Sequence, residues 1–341
     1  MQVKPSKLVK GILTFVPGVA ALTCRRSGGT VSARYCYAVW LRHLVSMRNS
    51  GLPTRFRAVA ELGPGDSLGI GLCAMLSGAD RYYAFDAKPH ANVDRNQEIL
   101  DVLIGLFQQR ASIPGDAEFP SLSPQLKQYA FPSDILTEEI LTTSLSPERL
   151  HAVRRALKEE QARNVRISYI APWDHVSVME PGTIDLVFSQ AVMEHIDDIQ
   201  TTYDALYKWL RPGGSMSHGI DYKSHFYTHN WNGHWTVSDW IWMLVRGKRP
   251  YLINRLPHSA HLRAMRQAGF DIVEELRNED APLARSLLAS RFKGLTDEDL
   301  KTKDACIQAT KRREIRPWVA MQNRQMMGKT TCDLRRRPTT S

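Results

Sequence analysis

The chain has 341 residues, 43% of them hydrophobic and 23% charged, the balance of an ordinary soluble globular protein. No stretch is long and apolar enough to span a bilayer. The formal charge of +10 is uneven, because nine Lys or Arg from Lys311 onward face only Glu314 and Asp333, so the tail supplies +7 and the body is nearly neutral. Such a tail is expected to be solvated and disordered, and nucleic acid is not the expected partner. The five cysteines, at 24, 36, 73, 306 and 332, form no C-x-x-C pair, which suggests reduced thiols and a cytoplasmic setting.

Residues 1–50 precede the first strand. The run from Lys10 to Thr23 is basic and then apolar, like a signal peptide, but Pro17-Gly18 interrupts it, Arg25-Arg26 follow it, and it is too short for a bilayer. It reads as a docked segment. Gly28-Gly29-Thr30 reads as a flexible turn. Ala33 to Met47 then reads as a helix with Tyr37, Trp40, Leu41 and Leu44 on one apolar face. Arg34, Tyr35 and Tyr37 either reach a ligand site or pack against the sheet edge.

Ala58 to Leu62 reads as a short buried strand, Gly63-Pro-Gly65-Asp-Ser67 as a turn, and Leu68 to Leu76 as the helix after it. Glycines at such a bend let backbone approach a ligand, and free N–H groups at the helix start favour an anionic group. Dinucleotide folds use a similar bend. Here, however, Leu68 stands where a third glycine would be, and Glu61 precedes the glycines at the strand tip. Arg81-Tyr-Tyr-Ala-Phe-Asp86 is a second strand ending in a carboxylate. With these residues the chain resembles the class I methyltransferases that use S-adenosylmethionine. The resemblance implies that Glu61, Gly63 and Gly65 hold the methionine part, with Glu61 facing the ammonium group. It also implies that Asp86, with Ala87 beside it, holds the ribose hydroxyls, and that residues 1–50 cap the cofactor. Asp66-Ser67 depart from the small residue and third glycine of many members.

Asn96 to Arg110 reads as a helix with Ile99, Leu100, Leu103, Ile104 and Phe107 inward. Residues 112–146, with four prolines, read as an insertion near the substrate holding a short helix at 133–142. Ser146-Pro147-Glu148 starts a helix that runs to about Arg163. Val165 to Ile170 is the third strand, and the resemblance makes Trp173 and Asp174, just after it, the adenine-side candidates.

Ile184 to Phe188 reads as a buried parallel strand with Ser189-Gln190 at its carboxyl end, facing the crevice. The Glu194-His195 pair that follows, and the Leu-Arg-Pro-Gly-Gly turn before the strand at Ser215–Ile220, extend the resemblance, which places Ser189 at the cofactor. From Asp221 to Arg249 the composition shifts: Trp231, Trp235, Trp240 and Trp242 crowd together, accompanied by His225, His229 and His234 and, just before them, His218. This reads either as a substrate-binding lid or as an inserted helix packed on the body. Ser259 is expected to cap a helix that Gly269 ends, Phe270 to Leu276 is the sixth strand, and a last strand lies near Ala305–Thr310.

The fold class is therefore α/β: a Rossmann-like, doubly wound, mostly parallel seven-stranded sheet with an N-terminal cap and an inserted aromatic lid. The cap is 1–50, the cofactor-binding domain 51–311 with insertions at about 112–146 and 221–250, and the basic tail 312–341. The expected activity is transfer of a methyl group from S-adenosylmethionine to a small-molecule or glycan acceptor, on oxygen. His195 is the first candidate base, since imidazole titrates near neutral pH, with Asp221 and His225 as alternatives. His218, Asp221 and His225 also have the chemistry of a metal set, but their spacing fits no strong metal pattern and no metal is expected. Two other readings stay open. One is an RNA methyltransferase, supported by the basic tail alone and opposed by Ser189-Gln190-Ala191-Val192 where an Asn-Pro-Pro-Tyr type tetrad would stand. The other is a binding module that keeps the fold without the reaction.

Overall fold

The structure, a computed structural model, describes residues 3–16, 29–158, 162, 164–173, 175–249 and 251–312. In chain order, α1 (Pro5–Leu13) and α2 (Ala33–Asn49) precede β1 (Ala58–Leu62), and α3 (Gly69–Leu76) leads to β2 (Arg81–Phe85). Helices α4 (Val93–Gln108), α5 (Glu138–Ser144) and α6 (Pro147–Leu157) lead to β3 (Arg166–Ile170), which β4 (Ile184–Gln190) follows. Then come α7 (Ile199–Trp209), β5 (Leu210–Asp221), α8 (Asp239–Arg246), α9 (His258–Ala268), β6 (Phe270–Glu279), α10 (Asp297–Lys301) and β7 (Thr302–Lys311).

The strands form one sheet in the order β3-β2-β1-β4-β5-β7-β6. The first five pair in parallel, whereas β7 runs antiparallel to both β5 and β6. One core holds α2, α3 and α4 against one face, and a second holds α7 and α9 against the other, which is the Rossmann-like, doubly wound arrangement expected. The order reverses between β1 and β4, and open α/β sheets bind ligands outside the carboxyl ends of the strands at that point. Register brings Leu62, at the tip of β1, level with Ser189 near the end of β4 and with His218, after which β5 continues to Asp221.

Helix α2 is buried almost all round, not on one face alone. The reason is the 112–124 segment, which wraps its outer side. The Arg42 guanidinium, fully buried, donates to the carbonyls of Pro114 and Leu122 at 2.9 and 2.7 Å and to Asp116 at 3.1 Å. Tyr37 Oη donates to the Ala111 carbonyl at 2.7 Å. One buried guanidinium thus satisfies loop carbonyls that would otherwise be orphaned.

Several local expectations are corrected. The helix expected at 133–142 begins at Glu138, because Thr137 Oγ1 caps it. The next ends at Leu157 rather than near Arg163. Arg211-Pro-Gly-Gly214 does not end a helix before a short strand but lies within the longer β5 as an irregularity, with Gly213 at φ +78°. Ser259 does not cap α9: Pro257 holds that position, and the Asp299 carboxylate reaches in to accept from both the N–H and the Oγ of Ser259 at 2.8 Å. The four tryptophans are divided. Trp235 and Trp242 sit in two separate small cores, and Trp240 is 63% exposed. The N-terminal segment is docked through Leu13: α1 lies so close on α8 that a side chain at Gly11 would overlap the Leu244 and Val245 carbonyls. Residues 17–23 of that run lie outside the described residues, as does 313–341 of the basic tail; Arg312 pairs with Asp271 at 2.7 Å.

Gly71 on α3 is the tightest approach to the sheet, because a Cβ there would overlap the Tyr82 ring beneath it. Intrinsic helix propensity alone gives Gly→Ala a gain of about 1 kcal/mol. Here overpacking of a closed core wins, and Gly71→Ala should lower stability by about 2–3 kcal/mol in urea unfolding. An unchanged or raised midpoint would contradict this packing.

Candidate functional site

The glycine bend closes over the tips of β1 and β2. Gly63, at φ +63°, donates its N–H to the Phe85 carbonyl at 2.8 Å, and a Cβ there would lie 2.5 Å from the Val192 side chain. Gly65 stands at φ +75°. The turn at Thr30, expected to be flexible, is instead buried and clamped to the bend. Thr30 Oγ1 donates to the Pro64 carbonyl at 2.7 Å and accepts from the Ser67 N–H at 2.9 Å, and Ser67 Oγ donates to the Thr30 carbonyl. The N–H groups expected to be free at the start of α3 are also taken. Leu68 donates to Asn96 Oδ1 at 2.8 Å and Gly69 to Ser67 Oγ at 3.2 Å. The bend is therefore tied down by its own chain rather than left as a helix-end anion site.

Asp86, just past β2, is 9% exposed. Its Oδ1 accepts the Ala87 N–H at 2.7 Å, while Oδ2 is buried without a hydrogen-bond partner. Burial raises its carboxyl above the usual range, although the Ala87, Lys88 and Gly65 N–H groups pull the other way. Glu61 lies deeper. Side chains alternate along β1, so Glu61 shares with Val59 the face packed by α2 and α3. It is 1% exposed and accepts the Tyr82 hydroxyl at 2.5 Å. Burial pushes its carboxyl up to about 8, against the Tyr82 and Gly71 donors, and nearby Asp86 adds to the push.

Trp173 is half-buried, edge-on to Phe85 and Trp209, and its N–H donates to the Asp86 carbonyl at 3.0 Å. Asp174 lies outside the described residues. Tyr251, which the sequence did not single out, brings its hydroxyl to 3.5 Å from the Ala87 carbonyl.

On the other side of the switch point, Ser189 is fully buried with Oγ 2.7 Å from His218 Nδ1. Burial pushes His218 down to about 3, and this internal pair keeps His218 apart from Asp221 and His225. Glu194 and His195 follow in a short turn after β4. The Glu194 carboxylate is 3% exposed with neither oxygen in an aligned hydrogen bond, and burial, then Asp221, raises it well above the carboxylate range. His195 is pushed down to about 4 by burial and by the neighbouring His225, whose ring centre lies 5.0 Å away. His225, in the left-handed region at φ +47°, brings Nε2 to 3.3 Å from Asp221 Oδ2 and 3.8 Å from Glu194 Oε1, both outside hydrogen-bond alignment. Burial would raise Asp221, but His225 and Lys223 more than offset it and hold its carboxyl at about 2. Lys223 Nζ bridges Asp221 and Asp304 at 3.1 and 3.4 Å.

Of His195, Asp221 and His225, it is Asp221 that lines a cavity of about 250 Å³, with Tyr35, Gln190, Ala191, Lys223, Asp304 and residues 118–123. A second cavity of about 290 Å³ shares Lys223 and Asp304 and extends past Trp231, Asn278 and Glu279. Tyr35 thus faces the site, whereas Arg34 pairs with Glu118. A larger cavity of about 600 Å³, lined by Arg57, Arg81 and Arg166, lies at the opposite, amino-terminal ends of the strands, away from both acids. The adjacency of Glu194 to His195 was a usable signal for the buried acid. Lys223 and Tyr251 carried none, since both depend on how loops fold back.

Residues 125–217 match the family model of a methyltransferase domain. No curated protein matches the chain. Among solved structures, the chain is similar to a putative methyltransferase of Haloferax volcanii in complex with the activator Trm112, at 13% identity and TM-score 0.40, covering 82% of this chain and 94% of that one. It is also similar to a putative S-adenosylmethionine-dependent methyltransferase of Listeria monocytogenes, at 12% identity and TM-score 0.38, covering 82% and 99%. A third similarity is to phosphoethanolamine N-methyltransferase 2 of Haemonchus contortus with S-adenosyl-L-methionine, at 14% identity and TM-score 0.39, covering 91% and 58%. At such TM-scores the likeness decides nothing about acceptor or residue roles.

Glu61 generates a pH prediction. Its folded pKa is raised from 4.5 to about 8, so the folded state holds a proton that the unfolded chain has lost. Stability should fall as pH rises through this window. Glu61→Gln, which keeps the shape without the charge, should flatten that slope in unfolding measured from pH 5 to 8. An unchanged slope would contradict the buried, proton-holding Glu61.

Proposed function

We propose that this chain, whose residues 125–217 match the model of a methyltransferase domain, is a class I S-adenosylmethionine-dependent methyltransferase that methylates a hydroxyl of a polar, glycan-like acceptor. The cofactor fits two features of the fold: the unpartnered Asp86 Oδ2, an acceptor suited to ribose hydroxyls, and the glycine bend beside it, whose Gly65 N–H turns toward the same carboxylate. Ala87, Trp173 and Tyr251 surround Asp86 and would flank the nucleoside. When bound, S-adenosylmethionine supplies a methyl group already activated on a sulfonium, and the protein's task is position and proton removal.

The observation that carries the acceptor reading is the place of Asp221. Asp221 lines the cavity, and Lys223, which lines the same cavity, pairs with its Oδ1 at 3.1 Å. Geometry comes before pKa in choosing a base. A hydroxyl proton becomes strongly acidic as the oxygen is alkylated, so a carboxylate held at about 2 can still receive it. His195 and His225 border Asp221 and shape its field. The groove beyond, with Trp231 among Asn278, Glu279, Asp280 and Lys303, has the mix of an aromatic face and polar edges that suits a sugar. The division into a cap at 1–50, a methyl-transfer unit at 51–311 and a tail accords with this reading. Among the described residues, Cys36, Cys73 and Cys306 are buried and free, which accords with a reducing compartment. No helix among the described residues is long and apolar enough to cross a membrane.

Methyl transfer from radiolabelled cofactor to a panel of sugar, phenol and amine acceptors tests this. Sugar hydroxyls should be labelled, and Asp221→Asn should lower kcat by about 10²–10⁴-fold with cofactor affinity unchanged. Labelling of amines alone, or full activity in Asp221→Asn, would overturn it.

A further inference from the structure

We propose that Glu194, His195 and His225 form a binding site for a divalent first-row transition ion. One ligand atom from each lies within 4.8 Å of the others. They come from two separate segments, the turn after β4 and the loop after β5, so no sequence spacing announces them. Both Glu194 oxygens, His195 Nδ1 and His225 Nε2 are buried without an aligned hydrogen bond, although His225 Nε2 lies 3.3 Å from Asp221 Oδ2. Leaving a buried carboxylate and two imidazole nitrogens of one cluster without aligned partners is costly. A cation removes that cost at all three atoms together.

The surroundings fit. The His195 ring also faces the main chain of Tyr251, the outer contact that fixes an imidazole and turns its other nitrogen toward a metal. Asp221 Oδ2 lies 3.3 Å from His225 Nε2 and is itself held by Lys223, so it stands at the edge of the site. Two imidazoles and one carboxylate suit zinc, manganese, iron or cobalt rather than magnesium or calcium, which prefer oxygen. Side-chain rotations of about 1 Å would bring the three atoms to the 2.0–2.2 Å metal–ligand range. Three protein ligands leave a position open toward Asp221. Resting on the proposed methyl transfer, this site would hold the acceptor's hydroxyl oxygen and ease loss of its proton to Asp221 Oδ2.

Chelator-stripped full-length protein is titrated by calorimetry with Zn²⁺ and, separately, with Co²⁺ while visible absorption is recorded. We expect uptake of about one equivalent with Co²⁺ ligand-field bands. Glu194→Gln and His225→Ala should each weaken uptake at least about tenfold, while His229→Ala, at an exposed histidine, should not. If Glu194→Gln does not fold by circular dichroism, His195→Ala and His225→Ala decide. No uptake by the parent protein, or uptake undiminished in the folded variants, overturns the site. S-adenosylmethionine binding is measured on the same preparations. Protein that binds it but takes up no ion overturns the metal site alone, whereas protein that takes up the ion but does not bind it overturns the methyl-transfer reading alone.

Discussion

A carboxylate oxygen without a partner in a nearly closed site costs on the order of 1–3 kcal/mol, more when charged. Asp86 carries such an oxygen at the tip of β2. The surrounding geometry keeps it there. Gly63 is fixed between the Phe85 carbonyl and Val192, Gly65 turns its N–H toward the carboxylate, and Ala87 takes the other oxygen. The bend cannot relax, because Thr30 and Asn96 occupy the donors that might otherwise let it unwind. What remains is one buried acceptor just past the carboxyl end of β2, without a hydrogen-bond partner.

The same sheet positions the second half of the site. Parallel pairing of β1 with β4 and of β4 with β5 points their carboxyl ends the same way, so whatever follows β4 and β5 meets beside the glycine bend. Glu194, His195, Asp221 and His225 are those residues. The wrapped helix α2, with Arg42 tying down the 112–124 segment, supplies Tyr35 and the far wall of the cavity. Tyr35 and the 118–123 segment on one side and Asp221, Lys223 and Asp304 on the other thus line one polar groove.

The strands around the glycines were legible in the sequence because buried parallel strands are short apolar runs bounded by turns. Asp86 was legible for the same reason: it is the first polar residue after such a run. The inward turn of Glu61 was missed, although the two-residue alternation that pairs it with Val59 was there to be read. The clamp at Thr30, the Asp299 carboxylate that serves α9 and the partition of the tryptophans depend on long-range packing, which leaves no local pattern. His218 was grouped with Asp221 and His225 by spacing. The strand pleat turns it inward to Ser189 and leaves Glu194, from another segment, in its place.

The central claim is that Asp86 and the glycine bend hold S-adenosylmethionine. Calorimetry of the parent protein and of Asp86→Ala tests it most directly. The account predicts micromolar binding to the parent and a loss of at least about tenfold in the variant, the equivalent of about 1.4 kcal/mol. Equal affinity in both, or no heat of binding to a folded parent protein, would contradict it.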